Sequence, residues 1–438
     1  MIGTGLTTVA LTLLAYRITP TDAGALLGKV LAIKMLAYVF FAPIVGGLAH
    51  RFNRKFLMVS LDLLRAFVVM ALPFVTETWQ VFVLIFLLSI FTAGFSPVFQ
   101  STIPDLLRSE EDYTRALSFS RLAYDLEALL SPTLAGLLLL FATFDLLFLL
   151  NGFAFLVSAS LVAKTRLPGQ APANRLGNLP TQIGFGLRSY LKTPRLRGLL
   201  GFYVGVAFAS AMVIVNTVVY IKGQLGGSES QVALALAAAG MGSMVAALLT
   251  PWLLLHRTDR IVMLIGTVLM STMFFAFAMM PSFSVLLVLW LFVGFGWSLV
   301  QTPAGRVVNR SCAVGDREAY YSAQFALTHL CWLLAYPVVG YLGQSLGMAA
   351  AGMLVGVISL CAAILGSQLW PEPDNSRLVH THESISHSHK HEHDEHHQHV
   401  HVEEGSHLHD PSDHEHDHEQ VTHSHTFVID DHHASWPR

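Results

Sequence analysis

His50-Arg51-Phe52-Asn53-Arg54 is echoed 206 positions later by His256-Arg257-Thr258-Asp259-Arg260. Each is a short basic turn between two long apolar runs. A lipid span needs roughly 20 apolar residues to cross about 30 Å of hydrocarbon. A second echo, at an offset of 205, joins Pro132-Thr133-Leu134-Ala135 to Pro337-Val338-Val339-Gly340. Two matches at nearly one spacing indicate a membrane chain built from two parallel halves.

Working outward from these turns gives twelve apolar segments: 2–18, 24–48, 56–76, 80–101, 117–140, 146–163, 198–221, 231–255, 261–280, 284–304, 319–343 and 348–370. The predicted fold is an all-α membrane protein with twelve transmembrane helices in two six-helix pseudo-repeats. The halves are 1–163 and 198–370, joined by a central cytoplasmic loop 164–197 and followed by a tail 371–438. The first segment is short and no basic region precedes it, so no cleavable signal peptide is expected. The start is expected to fall inside helix 1, with a few residues missing upstream.

Composition supports a lipid environment. Of 438 residues, 53% are hydrophobic and 13% charged, about half the charged share of a soluble protein. In lipid, apolar surface costs nothing to expose, so charge retreats to the loops. Lys and Arg set the orientation. The loops on the side of 164–197, with Arg121 and the tail, carry 21 of them, and the opposite loops carry two, Arg17 and Lys222. The positive-inside bias makes the N-terminus, the central loop and the tail cytoplasmic. Three cysteines exclude a disulfide scaffold and a thiolate-rich metal site. No Walker A loop is present, so ATP does not drive the protein directly, and neither enzyme chemistry nor a nucleic-acid partner is indicated.

Gly46-Gly47-Leu48-Ala49-His50-Arg51-Phe52-Asn53-Arg54-Lys55 resembles the loop 2–3 signature of the major facilitator superfamily, G-x-L-a-D-R-x-G-R-[RK]. Gly47, His50, Arg51, Arg54 and Lys55 belong to this motif. His50 stands where the signature has Asp, and Asn53 where it has the second Gly. Phe95-Ser96-Pro97 with Ile103-Pro104-Asp105-Leu106 resembles a segment of the bacterial exporter branch that includes siderophore exporters. Ser131-Pro132-Thr133-Leu134-Ala135-Gly136 resembles the antiporter pattern G-P-x-x-G-G. Within that branch, a subset with long histidine-rich cytoplasmic tails resembles nickel-resistance exporters. The resemblance implies a secondary-active, proton-coupled exporter in a bacterial inner membrane. It also implies a central cavity lined by helices 1, 4, 7 and 10.

The tail departs from the rest of the chain. After Pro371 it holds 19 of the 22 histidines and 15 Asp and Glu against three Lys and Arg. The histidines alternate with other residues at His387, His389, His391, His393, His396, His397, His399, His401, His407, His409, His414, His416, His418, His423 and His425. With few apolar residues to bury, the tail is expected to be disordered without metal. Neutral imidazole ligates divalent nickel, cobalt, zinc and copper, and neighbouring carboxylates add oxygen donors. The tail is therefore expected to bind several divalent ions, with nickel, cobalt and zinc unranked by the ligand set. No resident cofactor is required.

Ionisable groups inside a span are functional candidates by default. Lys34, Asp62, Arg65, Asp125, Glu127, Asn216 and His329 are the pathway candidates. Asp62 and Arg65, at i and i+3, share a helix face and suit a structural pair. Asp125, Glu127 and His329 are the groups available to titrate in an exchange of a divalent cation for protons. Two other functions fit the same residues. One is an exporter of an organic solute, a drug or siderophore, whose tail senses or buffers metal. The other is a membrane-anchored metal store, for which twelve spans are far more than an anchor needs.

Overall fold

The computed structural model describes residues 2–19, 23–107, 109–168, 178–370, 372, 374, 377–382, 385–389, 414–418, 421–429 and 436. The chain divides into two compact units. One is Met1–Glu372 with Val428–Trp436, and the other is Pro373–Phe427 with Pro437–Arg438.

The first unit is helical. Its helices are α1 (Ile2–Ile18), α2 (Ala23–Leu48), α3 (Arg54–Ala71), α4 (Thr78–Leu106), α5 (Glu110–Leu139), α6 (Asp145–Lys164), α7 (Leu179–Lys192), α8 (Pro194–Val219), α9 (Glu229–His256), α10 (Asp259–Phe277), α11 (Phe283–Gln301), α12 (Ala304–Asn309), α13 (Arg317–Ser345) and α14 (Met348–Leu369). Among the described residues, ten helices are long and apolar enough to cross a membrane. An eleventh is added if α5, bent by 41°, counts as one span, and α1 is shorter than the rest. Large apolar side chains such as Phe67, Phe141 and Met279 face outward, with 74%, 89% and 84% of their surface exposed. In water that exposure would be costly, and in lipid it is neutral.

Helix starts follow local chemistry. Ser109 caps α5 by accepting the amide of Asp112, and Glu110, Glu111 and Asp112 fill the first turn. Acid there suits the helix dipole. The helix therefore begins seven residues before the apolar segment at 117. The 164–197 connection, read from sequence as a loop, contains α7. Asn178 caps it, and Gln182, Gly186, Ser189 and Tyr190 form its buried face. This helix is too polar to read as a span but amphipathic enough to pack. The 305–318 connection likewise contains α12.

Each half has its own core. Leu14, Val69, Leu72 and Phe148 belong to the first. Phe202, Phe274, Trp290 and Tyr320 belong to the second. A small cluster of Tyr38, Ala42, Ala93 and Ala326 lies between the halves. Tyr190 of α7 donates to Gln324 of α13. Burial pushes its phenol well above the usual range.

The second unit departs from the unstructured tail that its composition predicts. β1 (Arg377–His382) pairs antiparallel with β4 (Val421–Thr426), and β2 (Ile385–His389) pairs with β3 (His414–His418). The alternating His-x-His pattern has the period of a strand, and Val379, Thr381, Val421 and Thr422 are β-branched. Residues 390–413 lie outside the described residues.

Candidate functional site

The two halves meet on the face that carries the basic loops, in layers of polar contact. The outermost starts at the end of α2. A Cβ on Gly46 would lie 2.1 Å from Ser322 Oγ, and one on Gly47 would lie 2.5 Å from the Cα of Ile183. Only glycine lets α2 approach α13 and α7 this closely. His50 and Arg51 then form a single 3₁₀ turn, Ala49–Arg51. Arg51 Nη2 donates to Gln182 Oε1 of α7 at 2.7 Å. Asn53 accepts the amide of Phe56 at 3.1 Å and so starts α3. One of the two residues that depart from the family signature thus serves as a helix cap.

That cap sets Arg54 at the first turn of α3, buried between the halves. Its Nε donates to Glu318 Oε1 of α13 at 3.0 Å, and its Nη1 donates to Asp105 of α4. Arg317 of α13 donates to the other oxygen of Asp105. Two cations and two carboxylates therefore alternate across the boundary, which is what makes their burial tolerable. Lys55, next to Arg54, is half-buried.

A second layer lies deeper. Arg121 of α5 donates to Asp125 on its own helix at 2.7 Å, to Ser243 of α9 at 3.1 Å and to Gln301 of α11. Ser243 Oγ in turn donates to Asp125 at 2.6 Å. Near the basic surface, Arg306 reaches both Asp259 of α10 and Thr114 of α5. Tyr321 donates to the carbonyl of Gly305 at 2.9 Å, which leaves Tyr113 as the donor in the 2.5 Å contact between the two phenols. This state is closed on its basic face.

Above the closed layers sits an aromatic collar. His329 of α13 donates from Nδ1 to the Phe325 carbonyl, 2.7 Å away. Its ring lies 4.8 Å from Tyr38 of α2, 4.1 Å from Phe325 and 5.5 Å from Trp332. Tyr203 of α8 meets Trp332 edge-on at 6.4 Å. Lys34 Nζ stands 5.7 Å from the Tyr38 ring, a cation–π distance. Glu127 lies against Gly5 of α1, where a Cβ would come within 3.4 Å of its Cγ.

The candidates therefore separate. Lys34 and His329 both lie against Tyr38 of the collar, Glu127 lies against α1, and Asp125 belongs to the cross-half clasp. Asp62 and Arg65 pair with each other inside the first half. Ser158 of α6 donates to Asp62 at 2.7 Å, and Arg65 lies over Phe95 and Phe155 at 3.9 and 4.5 Å. They tie α3 to α4 and α6. Asn216 is also structural, donating to the Val339 carbonyl of α13 at 3.1 Å. On α1, Thr12 donates to the Thr8 carbonyl, and Thr7 accepts from Asn151 of α6 at 2.6 Å.

The tail ligands fall in two groups. His391, His393, His396, His397, His399, His401, His407 and His409 lie outside the described residues. The strand register sets His387 opposite His416, His389 opposite His414, and His380 opposite His423. Facing residues in an antiparallel pair have Cα atoms roughly 4.5–5.5 Å apart. Among the described residues no cluster of three or more His, Cys, Asp or Glu could hold an ion.

Glu318, Arg121, Ser243, Gln301 and Tyr38 take part in these layers and were not singled out by reading the sequence. Glu318 and Arg121 carried a signal, since both are charges at the edge of an apolar segment. Ser243, Gln301 and Tyr38 are ordinary helix residues until packing brings the halves together.

The chain is 24% identical over 371 residues to the uncharacterized MFS-type transporter YfiS of Bacillus subtilis, covering 81% of this chain and 86% of that one. It is 26% identical over 158 residues to macrolide efflux protein A of Streptococcus pyogenes, covering 35% of this chain and 39% of that one. Its fold matches the crystal structure of the human organic anion transporter MFSD10 with a TM-score of 0.68 at 15% identity, covering 83% and 97% of the two chains. It matches the E. coli fucose:proton symporter FucP with a TM-score of 0.67 at 13% identity, covering 84% and 95%. At such identities the solved structures establish the fold alone, and all of these proteins are transporters rather than enzymes. Residues 1–254 and 199–387 both match the profile of the Major Facilitator Superfamily, and with the helical fold these matches make the chain a member of that superfamily.

Proposed function

We propose that this transporter exports divalent nickel, with cobalt as a second cargo, from the cytoplasm of a bacterium across its inner membrane in exchange for protons. In this reading twelve helices span the membrane as two six-helix halves, with both termini cytoplasmic. The observation that carries it is the alternating histidine stretch after Trp370, joined to an export-type membrane body. Lys and Arg crowd the side that bears the tail, so the ligands stand where metal to be exported would be met. The state described here is the one sealed from the cytoplasm. Loading from that side requires Arg54 to leave Glu318, and Arg121 to leave Ser243 and Gln301. Glu127 beside α1 and His329 at the collar are then the groups that exchange protons for the cation. The experiment is metal content in cells with and without the protein. Lower nickel and cobalt in its presence supports the reading, and unchanged content of both rejects it.

The collar favours a second reading. Tyr38, Phe325, Trp332 and Tyr203 make an aromatic wall suited to an organic solute, and the similarity to macrolide efflux proteins points the same way. The tail would then sense or buffer metal. A chain truncated after Pro371 that still lowers the toxicity of an organic compound, from a parent that never altered metal tolerance, selects this reading.

A further inference from the structure

A bare divalent ion gives up its water ligands only to several donors at once. Among the described residues, no group of three or more His, Cys, Asp or Glu could hold one. The collar offers a single imidazole nitrogen, Nε2 of His329, because Nδ1 is spent on the Phe325 carbonyl.

The charge that meets the rings also has the wrong sign for a cation. Lys34 is half-buried on α2, one helical turn or about 6 Å before Tyr38. Its Nζ lies 5.7 Å from the Tyr38 ring. A divalent ion arriving at the collar is repelled by this ammonium, and an anion is drawn to it.

The rest of the collar suits a flat organic anion. Tyr38 meets Phe325 edge-on at 5.1 Å, and Tyr203 meets Trp332 in the same way at 6.4 Å. The indole nitrogen of Trp332 donates to Ser210 at 2.9 Å, which fixes the orientation of the ring. Gln324 precedes Phe325 on α13 and is 7% exposed, and its carbonyl oxygen accepts from the Tyr190 phenol. The Tyr203 phenol is also its neighbour, yet Nε2 of Gln324 completes no hydrogen bond. A buried donor without an acceptor is costly to keep. A carboxylate oxygen would satisfy it.

We propose that the cargo at the collar is a divalent metal already chelated by a planar organic carboxylate. The ligand supplies the donors that the collar lacks. Lys34 holds one of its carboxylates, Nε2 of Gln324 donates to another oxygen, and the rings of Tyr38, Phe325 and Trp332 pack on its flat part. The proposal rests on the metal-export reading and names the form in which the metal travels.

The probe is nickel with pyridine-2,6-dicarboxylate, a flat aromatic chelator, each carrying its own radiolabel. Full-length protein in inverted vesicles under a proton gradient is offered nickel alone, the chelator alone and the complex. The complex should raise nickel accumulation severalfold, and the chelator label should enter with the metal. Lys34→Gln should lower uptake of the complex about tenfold, the weight of one charge-assisted hydrogen bond. Lys34→Arg, which keeps the charge, should restore most of it. A second measurement needs no transport: detergent-solubilised protein should retain the labelled chelator only with nickel present, and Lys34→Gln should lose that retention. Nickel that accumulates without the chelator label, at a rate Lys34→Gln does not change, overturns the proposal and leaves the export reading standing. Chelator that accumulates equally well without nickel overturns it in favour of an organic cargo. Equal retention by parent and Lys34→Gln also overturns it. Lys34-dependent retention of the complex in a protein that moves no nickel supports the site and counts against the export reading alone.

Discussion

Arg54 and Glu318 lie 264 residues apart in the chain and 3.0 Å apart in the structure, one at the start of α3 and the other at the start of α13. Each half of the molecule supplies one charge. Both are almost completely buried, and Arg54 pairs as well with Asp105 of its own half, so Glu318 is the partner that carries its contact across the boundary. The pair is therefore both a bond between halves and a reason for the halves to close.

Glu318→Ala should unlock the basic face. Removing one partner of a buried ion pair typically costs about 3–5 kcal/mol, and here the cost should lie at or below the low end of that range because Arg54 keeps Asp105. The expected outcome is a lower melting temperature in detergent, and greater access of water-soluble thiol reagents to a cysteine placed at Ala326. Glu318→Asp should restore part of both.

Gly46→Val should have the same direction through sterics. Its side chain would meet Ser322 Oγ and the Glu318 carbonyl, which already lie 2.1 and 2.9 Å from an added Cβ. Two packed helices cannot both stay in place, so the closed state is lost while each half keeps its own core. Transport should fall by an order of magnitude or more, roughly the cost of overpacking by 1–3 kcal/mol. Cysteine accessibility should rise. Gly28→Ala, where an added Cβ meets nothing within 4 Å, is the control and should transport normally.

The clasp can be dissected with Asp125→Asn and Ser243→Ala. Asp125→Asn leaves the Arg121 cation without its carboxylate at membrane depth and should abolish transport. Ser243→Ala removes a neutral donor and should cost about 1 kcal/mol in stability. In a double-mutant cycle the two changes should be non-additive, because Ser243 donates to Asp125 directly. Additive effects would show that the contact does not couple the halves.

Cys312 gives a pH dependence. It lies between α12 and α13, buried, with its Sγ 3.3 Å from the Val308 carbonyl. Burial pushes its thiol up. The folded state therefore holds the proton more tightly than the unfolded chain, whose thiol titrates near 8.5. This contribution to stability is full below about pH 8.5 and is lost as pH rises beyond it. Melting temperature should fall more steeply above pH 9 in the parent than in Cys312→Ala, and maleimide should leave Cys312 untouched in the folded protein at pH 7.

Much of the fold is legible in the sequence because lipid imposes one simple rule. Runs of apolar residues must be helices, so each of the twelve apolar segments falls on a helix. What lay between them was less legible. The α7 stretch is too polar to announce a helix, and its role becomes visible only when Gly47 is found against Ile183. The site follows the same division. Asp62 and Arg65 could be paired from an i, i+3 spacing, since both sit on one helix. Arg54 with Glu318, and Asp125 with Ser243, could not, because no local pattern relates residues whose neighbourhood is made by the meeting of two halves.

The central claim is that nickel crosses the membrane through this chain. The most direct measurement is nickel uptake into inverted vesicles, with and without an imposed proton gradient, for the full-length protein and for a chain ending at Pro371. Gradient-dependent nickel accumulation, abolished by a protonophore and by Arg54→Ala, is the predicted result. Nickel outside the vesicles that never accumulates, in preparations where an organic solute does, would contradict it.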